Sequence, residues 1–282
     1  MRYLKYLDKY KINLENKIIV VTGANSGNGF FVSLQLAYYK ATIILSCRNE
    51  SKAQEAQERI LKEVPDAKLF IEKIDIGDFE NINDFVTRIK KNYGYIDILV
   101  NNAGVYYSDN TMRINYLGSY YLTKQLLPII KERVVIVSSL VYRFGKFNYA
   151  NLLDNKNVTR AYFNSKLAVY QMSIYFASLY PTIKFTIAHP GVTATNILKS
   201  ANNKMSNILK SAGSNFLKLF THCPEKASLS TIRAVIDDCA NLTLYGPRGL
   251  FTISGFPQKE KPHKVINKNI DKLIEATELL IK

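Results

Sequence analysis

The chain has 282 residues, of which 47% are hydrophobic, so it can bury a sizeable core and global disorder is excluded. No apolar run reaches the roughly eighteen residues of a membrane span, and the N-terminal stretch alternates charge with Tyr and Leu where a secretory signal would be continuously apolar. The net charge of +15 is spread along the whole chain among abundant Asn, Ile, Tyr and Lys, as an AT-rich coding sequence would produce, and no nucleic-acid-binding signature accompanies it.

In chain order, strand-like and helix-like segments alternate. Residues 17–23 (KIIVVTG) predict a β-branched first strand ending on glycine, and 30–40 carry apolar residues at helical spacing. A second strand over 41–47 precedes a polar helix over 49–64, which stops before Pro65. Residues 67–75 predict a third strand and 79–94 a helix closed by glycine. A fourth strand, 96–104, runs into a turn, and 112–130 predict one long helix. A fifth strand over 133–139, a helix over 161–180 and a sixth strand over 183–191 follow. Residues 264–281 predict an amphipathic helix that packs on the body. Continuous Val/Ile/Leu strands separated by helices argue for a parallel sheet covered on both faces. No linker interrupts the pattern, so residues 1–282 are expected to form one α/β domain. The words NILKSA occur at 196–201 and again at 207–212, a spacing that returns to one helix face. They predict an amphipathic lid over about 196–224, with a pair of surface helices or a membrane-surface helix as alternatives.

Two patterns carry chemistry. The turn after the first strand reads Thr22-Gly23-Ala24-Asn25-Ser26-Gly27-Asn28-Gly29. Glycines allow close approach of a ligand, and the helix that follows offers free N–H groups to a pyrophosphate. Further on, Tyr162 and Lys166 stand four apart, on one face of a helix. A lysine cation near a phenol favours the phenolate, so the tyrosine could exchange a proton with a carbonyl or alcohol oxygen near neutral pH. A strand end without a carboxylate, Cys47-Arg48-Asn49 with Lys52 nearby, favours a 2′-phosphate, hence NADP(H) over NAD(H).

TGANSGNG, then NNAG (Asn101–Gly104), then YxxxK, in this order and on these elements, resemble the short-chain dehydrogenases/reductases. The resemblance runs from about residue 13 to residue 260. Within the family the chain is most similar to retinol-dehydrogenase-like members, through CRN (Cys47–Asn49), VSSL (138–140 with the preceding Val137), HPGVTAT (His189–Thr195) and YGPRGLFTISGFP (Tyr245–Pro257). The resemblance implies a single doubly wound Rossmann domain and an oxidoreductase acting on a small, fairly apolar alcohol or carbonyl compound, and the three scattered cysteines, with no signal-like or membrane-spanning run, lead to the expectation of a reducing, cytoplasmic setting. It implies Tyr162 as general acid and base, Lys166 as the group lowering its pKa and binding the nicotinamide ribose, Ser139 as holder of the substrate oxygen, and Asn115 in a proton relay through water to Lys166. It also implies that Gly23, Asn25, Ser26, Gly27, Asn28 and Gly29 meet the pyrophosphate, that Arg48 and Asn49 meet the adenosine ribose, and that Asp75 and Ile76 flank the adenine. Asn102, Ala103 and Gly104 would lie along the cofactor, and Pro190, Gly191, Val192, Thr193 and Thr195 would cradle the carboxamide. The alternative is a non-catalytic NADP-binding interaction module on the same fold.

Two positions depart from the family pattern. Asn28 stands where Ile or Leu is usual, and an unpaired buried amide there would cost roughly 1–3 kcal/mol. The stretch from Asn102 to Asn115 is about ten residues shorter than in close relatives, which predicts a more open mouth to the substrate cleft. His189 reads as local packing at a strand end, and Tyr106, Tyr107, Tyr120 and Tyr121 as core or cleft wall. Cys47, Cys223 and Cys239, with His222 and His263, show no metal or disulfide spacing, so no metal is expected. No nucleic-acid partner is expected either, while a peripheral membrane contact and a homodimer stay open.

Overall fold

The computed structural model describes residues 2–106, 108–153, 157–191, 223–249 and 252–281. Their centre is an eight-stranded sheet in the order β3-β2-β1-β4-β5-β6-β7-β8. Seven strands run parallel: β1 (Ile18–Thr22), β2 (Thr42–Cys47), β3 (Lys68–Lys73), β4 (Ile96–Asn101), β5 (Ile130–Val137), β6 (Lys184–Ala188) and β7 (Leu244–Pro247). β8 (Pro257–Glu260) returns antiparallel along β7.

Alternation along each strand explains the continuous apolar runs, because successive side chains point to opposite faces and both faces are covered. Ile19 and Val21 pack with Phe30, Leu34, Ile60 and Leu229, under α1 (Gly27–Tyr38), α2 (Glu50–Glu63) and α6 (Pro224–Ile236). Val20 between them packs with Phe85, Tyr120, Val169 and Leu273, under α3 (Phe79–Tyr93), α4 (Ser119–Leu126), α5 (Val158–Leu179) and α7 (Ile270–Leu280). The same division holds for Ile44 against Ile43 and Leu45, and for Leu99 against Ile98 and Val100. This is the doubly wound α/β fold.

The helix expected over 112–130 is three pieces: a π-helical stretch Arg113–Gly118, then α4, then a 3-10 turn Leu127–Ile129. Pro128 has no N–H to continue the helix, so the chain tightens and β5 begins at Ile130, earlier than the expected 133. The C-terminal helix is likewise divided, into a 3-10 turn Lys264–Asn267 and α7, because Asn269 takes a left-handed φ of 54° as the N-cap. α7 docks through the Tyr116 and Thr277 hydroxyls, 2.7 Å apart, and through Glu278, which accepts from Tyr120 at 2.6 Å and pairs with Lys124. α6, β7 and β8 lie beyond the expected elements: the two strands are four residues each, and their sequences (LYGP, PQKE) are not apolar runs. No helix among the described residues is long and apolar enough to cross a membrane.

Candidate active site

β1 is hydrogen-bonded to both β2 and β4, so the order of connections reverses on its two sides, and a crevice opens at the carboxyl ends of the strands. The turns leaving β1 and β4 interlock there. Thr22 Oγ1 accepts from the backbone N–H of Asn102 and of Ala103, each at 3.0 Å, and Asn102 Nδ2 donates back to the Thr22 carbonyl at 2.8 Å. Gly29 has no room for a side chain, since a Cβ would collide with the Gly23 carbonyl and stand 2.5 Å from Asn102 Nδ2. The first turn of α1 is thereby drawn down onto the end of β1, with its unpaired N–H groups at the crevice.

One cleft of about 640 Å³ runs from this turn to α5. Gly23, Asn25, Ser26, Gly27, Asn28, Gly29, Arg48, Asn49, Asp75, Ile76, Asn102, Ala103, Gly104, Tyr162, Lys166 and Pro190 all line it, which brings together residues from six separate segments. Gly191 is the next residue behind Pro190. Val192, Thr193, Thr195, Tyr107, His222 and most of the expected lid lie outside the described residues. Cys47, Lys52, Ile74, Val105, Ile114, Val137 and Pro224 also line the cleft. Most of these follow from strand register at the carboxyl edge, which the sequence indicates only once the strand order is known.

At the inner end, α5 presents Tyr162 and Lys166. Burial raises the Tyr162 pKa, and a hydrogen bond from Ser139 pulls it back in part. The expectation that Lys166 lowers it is not met by the protein groups alone. Lys166 Nζ donates to the Val137 carbonyl at 3.0 Å and stands 5.8 Å from the Tyr162 ring centre, and burial brings its own pKa down to about 8. Below pH 8 Lys166 is still charged, so burial makes the cation costly to hold without removing its field from the phenol. Ser138 donates to the Lys166 carbonyl at 2.8 Å and so ties β5 to α5. Asn115 sits in the π-helical stretch, a frequent mark of functional positions. Its amide is held at both ends: Oδ1 accepts from Val105 N–H at 2.7 Å, and Nδ2 donates to the Val105 carbonyl at 2.9 Å and to Ser165 Oγ at 3.1 Å.

The two departures resolve differently. Asn28 turns into the protein: Nδ2 donates to Asn102 Oδ1 at 2.8 Å and to Thr231 Oγ1 at 3.3 Å, while its Oδ1 has no partner among the described residues. Reversing the amide would set Oδ1 against the Asn102 oxygen, whose own nitrogen is held by Thr22, so the orientation is fixed. The short stretch after Asn102 does not leave the mouth bare. It folds Tyr106 edge-on over Tyr162, with ring centres 4.5 Å apart and planes at 83°. Tyr120 is buried in the core, and Tyr121 donates to Asn83 Oδ1 at 3.0 Å. At the outer end Arg48 is 74% exposed, and its guanidinium lies 3.8 Å from Asp75 Oδ2. The sequence shows no acid at the end of β2, yet the fold brings Asp75 across from the segment just past β3.

A family model described as short chain dehydrogenase matches residues 17–206. Retinol dehydrogenase 13 of Mus musculus is 29% identical over 254 residues, covering 83% of this chain and 75% of the relative. Retinol dehydrogenase 14 of Mus musculus is 28% identical over 211 residues (65% and 63% of the two chains), and the WW domain-containing oxidoreductase of Gallus gallus is 34% identical over 178 residues (55% and 43%). The aligned stretch thus spans less than two thirds of these last two proteins. Among solved structures, an uncharacterized protein from Mycobacterium paratuberculosis superposes with a TM-score of 0.78 at 23% identity, over 96% of this chain and 95% of the other. A short chain dehydrogenase from Shigella flexneri complexed with NADP gives a TM-score of 0.63 at 25% identity, over 80% and 93%.

Proposed function

This chain belongs to the short-chain dehydrogenase family, and on that premise we propose that it is an NADP(H)-dependent oxidoreductase interconverting an alcohol with an aldehyde or ketone on a fairly apolar small molecule. The observation that carries the reading is the continuity of one cleft from the glycine-rich turn to the cluster of Tyr162 and Lys166.

The residues present fit a dinucleotide. Lys166 has three N–H donors and one described acceptor, the Val137 carbonyl, so ribose hydroxyls can take the others. The first turn of α1, held close by Gly29, suits a pyrophosphate. Arg48 and Lys52 line the far end of the cleft, where a 2′-phosphate would meet them in competition with Asp75. When bound, the nicotinamide supplies or accepts the hydride.

The chain's own residues handle the proton and the orientation. Tyr162 gives its phenolic proton to the carbonyl oxygen in reduction and takes it from the alcohol in oxidation. Ser139, bonded to the phenol, holds the substrate oxygen beside it. Lys166, with its pKa near 8, can gain or lose a proton at neutral pH and replenish the tyrosine. Asn115 clamps the Val105 backbone at the cleft with both ends of its amide and joins a proton relay through water to Lys166. Tyr106 shields the phenol and presents an aromatic wall to the substrate. Tyr162→Phe should lower turnover about a thousandfold. Calorimetry should still find NADPH bound within about threefold of wild type, since the phenol proton is the group removed. Retained turnover would remove Tyr162 as the proton donor.

A further inference from the structure

Beyond that reading, and resting on it, we infer that His189 is a positioning residue: its Nδ1 sets the Pro190–Gly191 turn against the nucleotide, and Glu260 fixes the tautomer that lets it do so. His189 is fully buried at the end of β6, anchored by its own N–H to the Tyr245 carbonyl at 2.9 Å. Nδ1 accepts the Gly191 N–H at 3.3 Å. A nitrogen that accepts carries no proton, so in the neutral ring the proton lies on Nε2. Nε2 faces Glu260 Oε1 at 3.1 Å, and an ionised carboxylate can only accept. The two contacts are therefore compatible with one tautomer, and each selects it.

The surroundings hold this arrangement tightly. Glu260 comes from β8, its side chain 4% exposed, and Arg143 Nη2 lies 3.4 Å from its second oxygen. Arg143 belongs to the 3-10 turn Leu140–Phe144 that directly follows Ser139. One carboxylate thus ties the turn after Ser139 to the turn after β6. Gly246 leaves the space for it, since a Cβ there would strike both Glu260 Oε1 and His189 Nε2. The product of the arrangement is a defined backbone: Gly191 at φ +72°, and Pro190, which has no N–H of its own, on the cleft wall. A histidine that merely filled space would need neither ring nitrogen.

Asparagine and glutamine separate the two roles. In His189→Asn the amide oxygen falls where Nδ1 was, keeping the Gly191 bond and losing Glu260. In His189→Gln the amide nitrogen reaches toward Glu260 and the Gly191 acceptor is lost. Two readouts are taken: NADPH affinity by calorimetry with nucleotide KM and kcat, and exchange of the Gly191 amide by NMR. Expected is His189→Asn within about threefold of wild type in both, and His189→Gln about tenfold weaker for NADPH, the loss of one buried hydrogen bond. The change in His189→Gln should fall on nucleotide KM with kcat nearly unmoved, alongside a Gly191 amide exchanging about tenfold faster. Equal losses in the two variants, or a reversed order, would overturn the inference and leave His189 as packing. Failure of the wild type to bind NADPH would instead overturn the proposed function, whereas the Gly191 exchange order tests the turn by itself.

Discussion

Replacing Lys166 by Met should make the protein more stable and inactive at once. Lys166 is 6% exposed, and among the described residues no carboxylate pairs with it. Burial lowers its pKa from 10.5 to about 8. Each unit of that gap is about 1.4 kcal/mol, so the folded state carries a penalty of roughly 3 kcal/mol for holding the cation below pH 8. Methionine has similar length and no charge to desolvate. It gives up the bond to the Val137 carbonyl, which offsets about 1 kcal/mol. The net gain is about 2 kcal/mol at pH 7, or a Tm rise of about 4 °C for a chain of this size. The sign with pH follows from the lowered pKa of a base. Below pH 8 both folded and unfolded wild type are protonated, and the penalty is complete. Between pH 8 and 10.5 the folded state releases the proton first, so wild-type stability rises with pH and the advantage of the variant shrinks. By pH 10 the charge penalty is about 1 kcal/mol. Urea unfolding of both proteins at pH 7 and 10 measures the difference, in which the raised tyrosine pKa values cancel. A variant less stable than wild type at pH 7, or a gap that does not move with pH, would refute the reasoning.

Arg48→Ala should weaken NADPH binding about tenfold and leave NADH nearly unchanged, the low end of a charge-assisted contact because the side chain is exposed. Calorimetry with both nucleotides checks it, and equal losses for the two would move the 2′-phosphate elsewhere. Gly29→Ala opposes two effects: alanine gains up to about 1 kcal/mol in a helix, while a Cβ against the Gly23 carbonyl costs about 1–3 kcal/mol where neither backbone can yield. The collision should win, seen as a lower urea midpoint and loss of NADPH binding.

Much of this protein is determined by local sequence. Continuous apolar runs such as IIVV and TIILSC are buried on both faces, as in a covered parallel sheet, and glycines after β1 leave little choice of turn. The motifs TGANSGNG, NNAG and YxxxK name the two ends of the cleft because their chemistry depends on residue type and short spacing. What depends on long-range placement was not legible. One partner of Asn28 is Thr231 on α6, and the acid facing Arg48 is Asp75, just past the end of β3. The clamp on His189 comes from β8, a half-exposed strand with no apolar run to announce it. The Lys–Tyr pair illustrates the division most plainly. Sequence puts Lys166 one turn from Tyr162, but only the packed structure decides how strongly burial penalises the lysine cation, because desolvation depends on everything folded around it and not on the residues beside it.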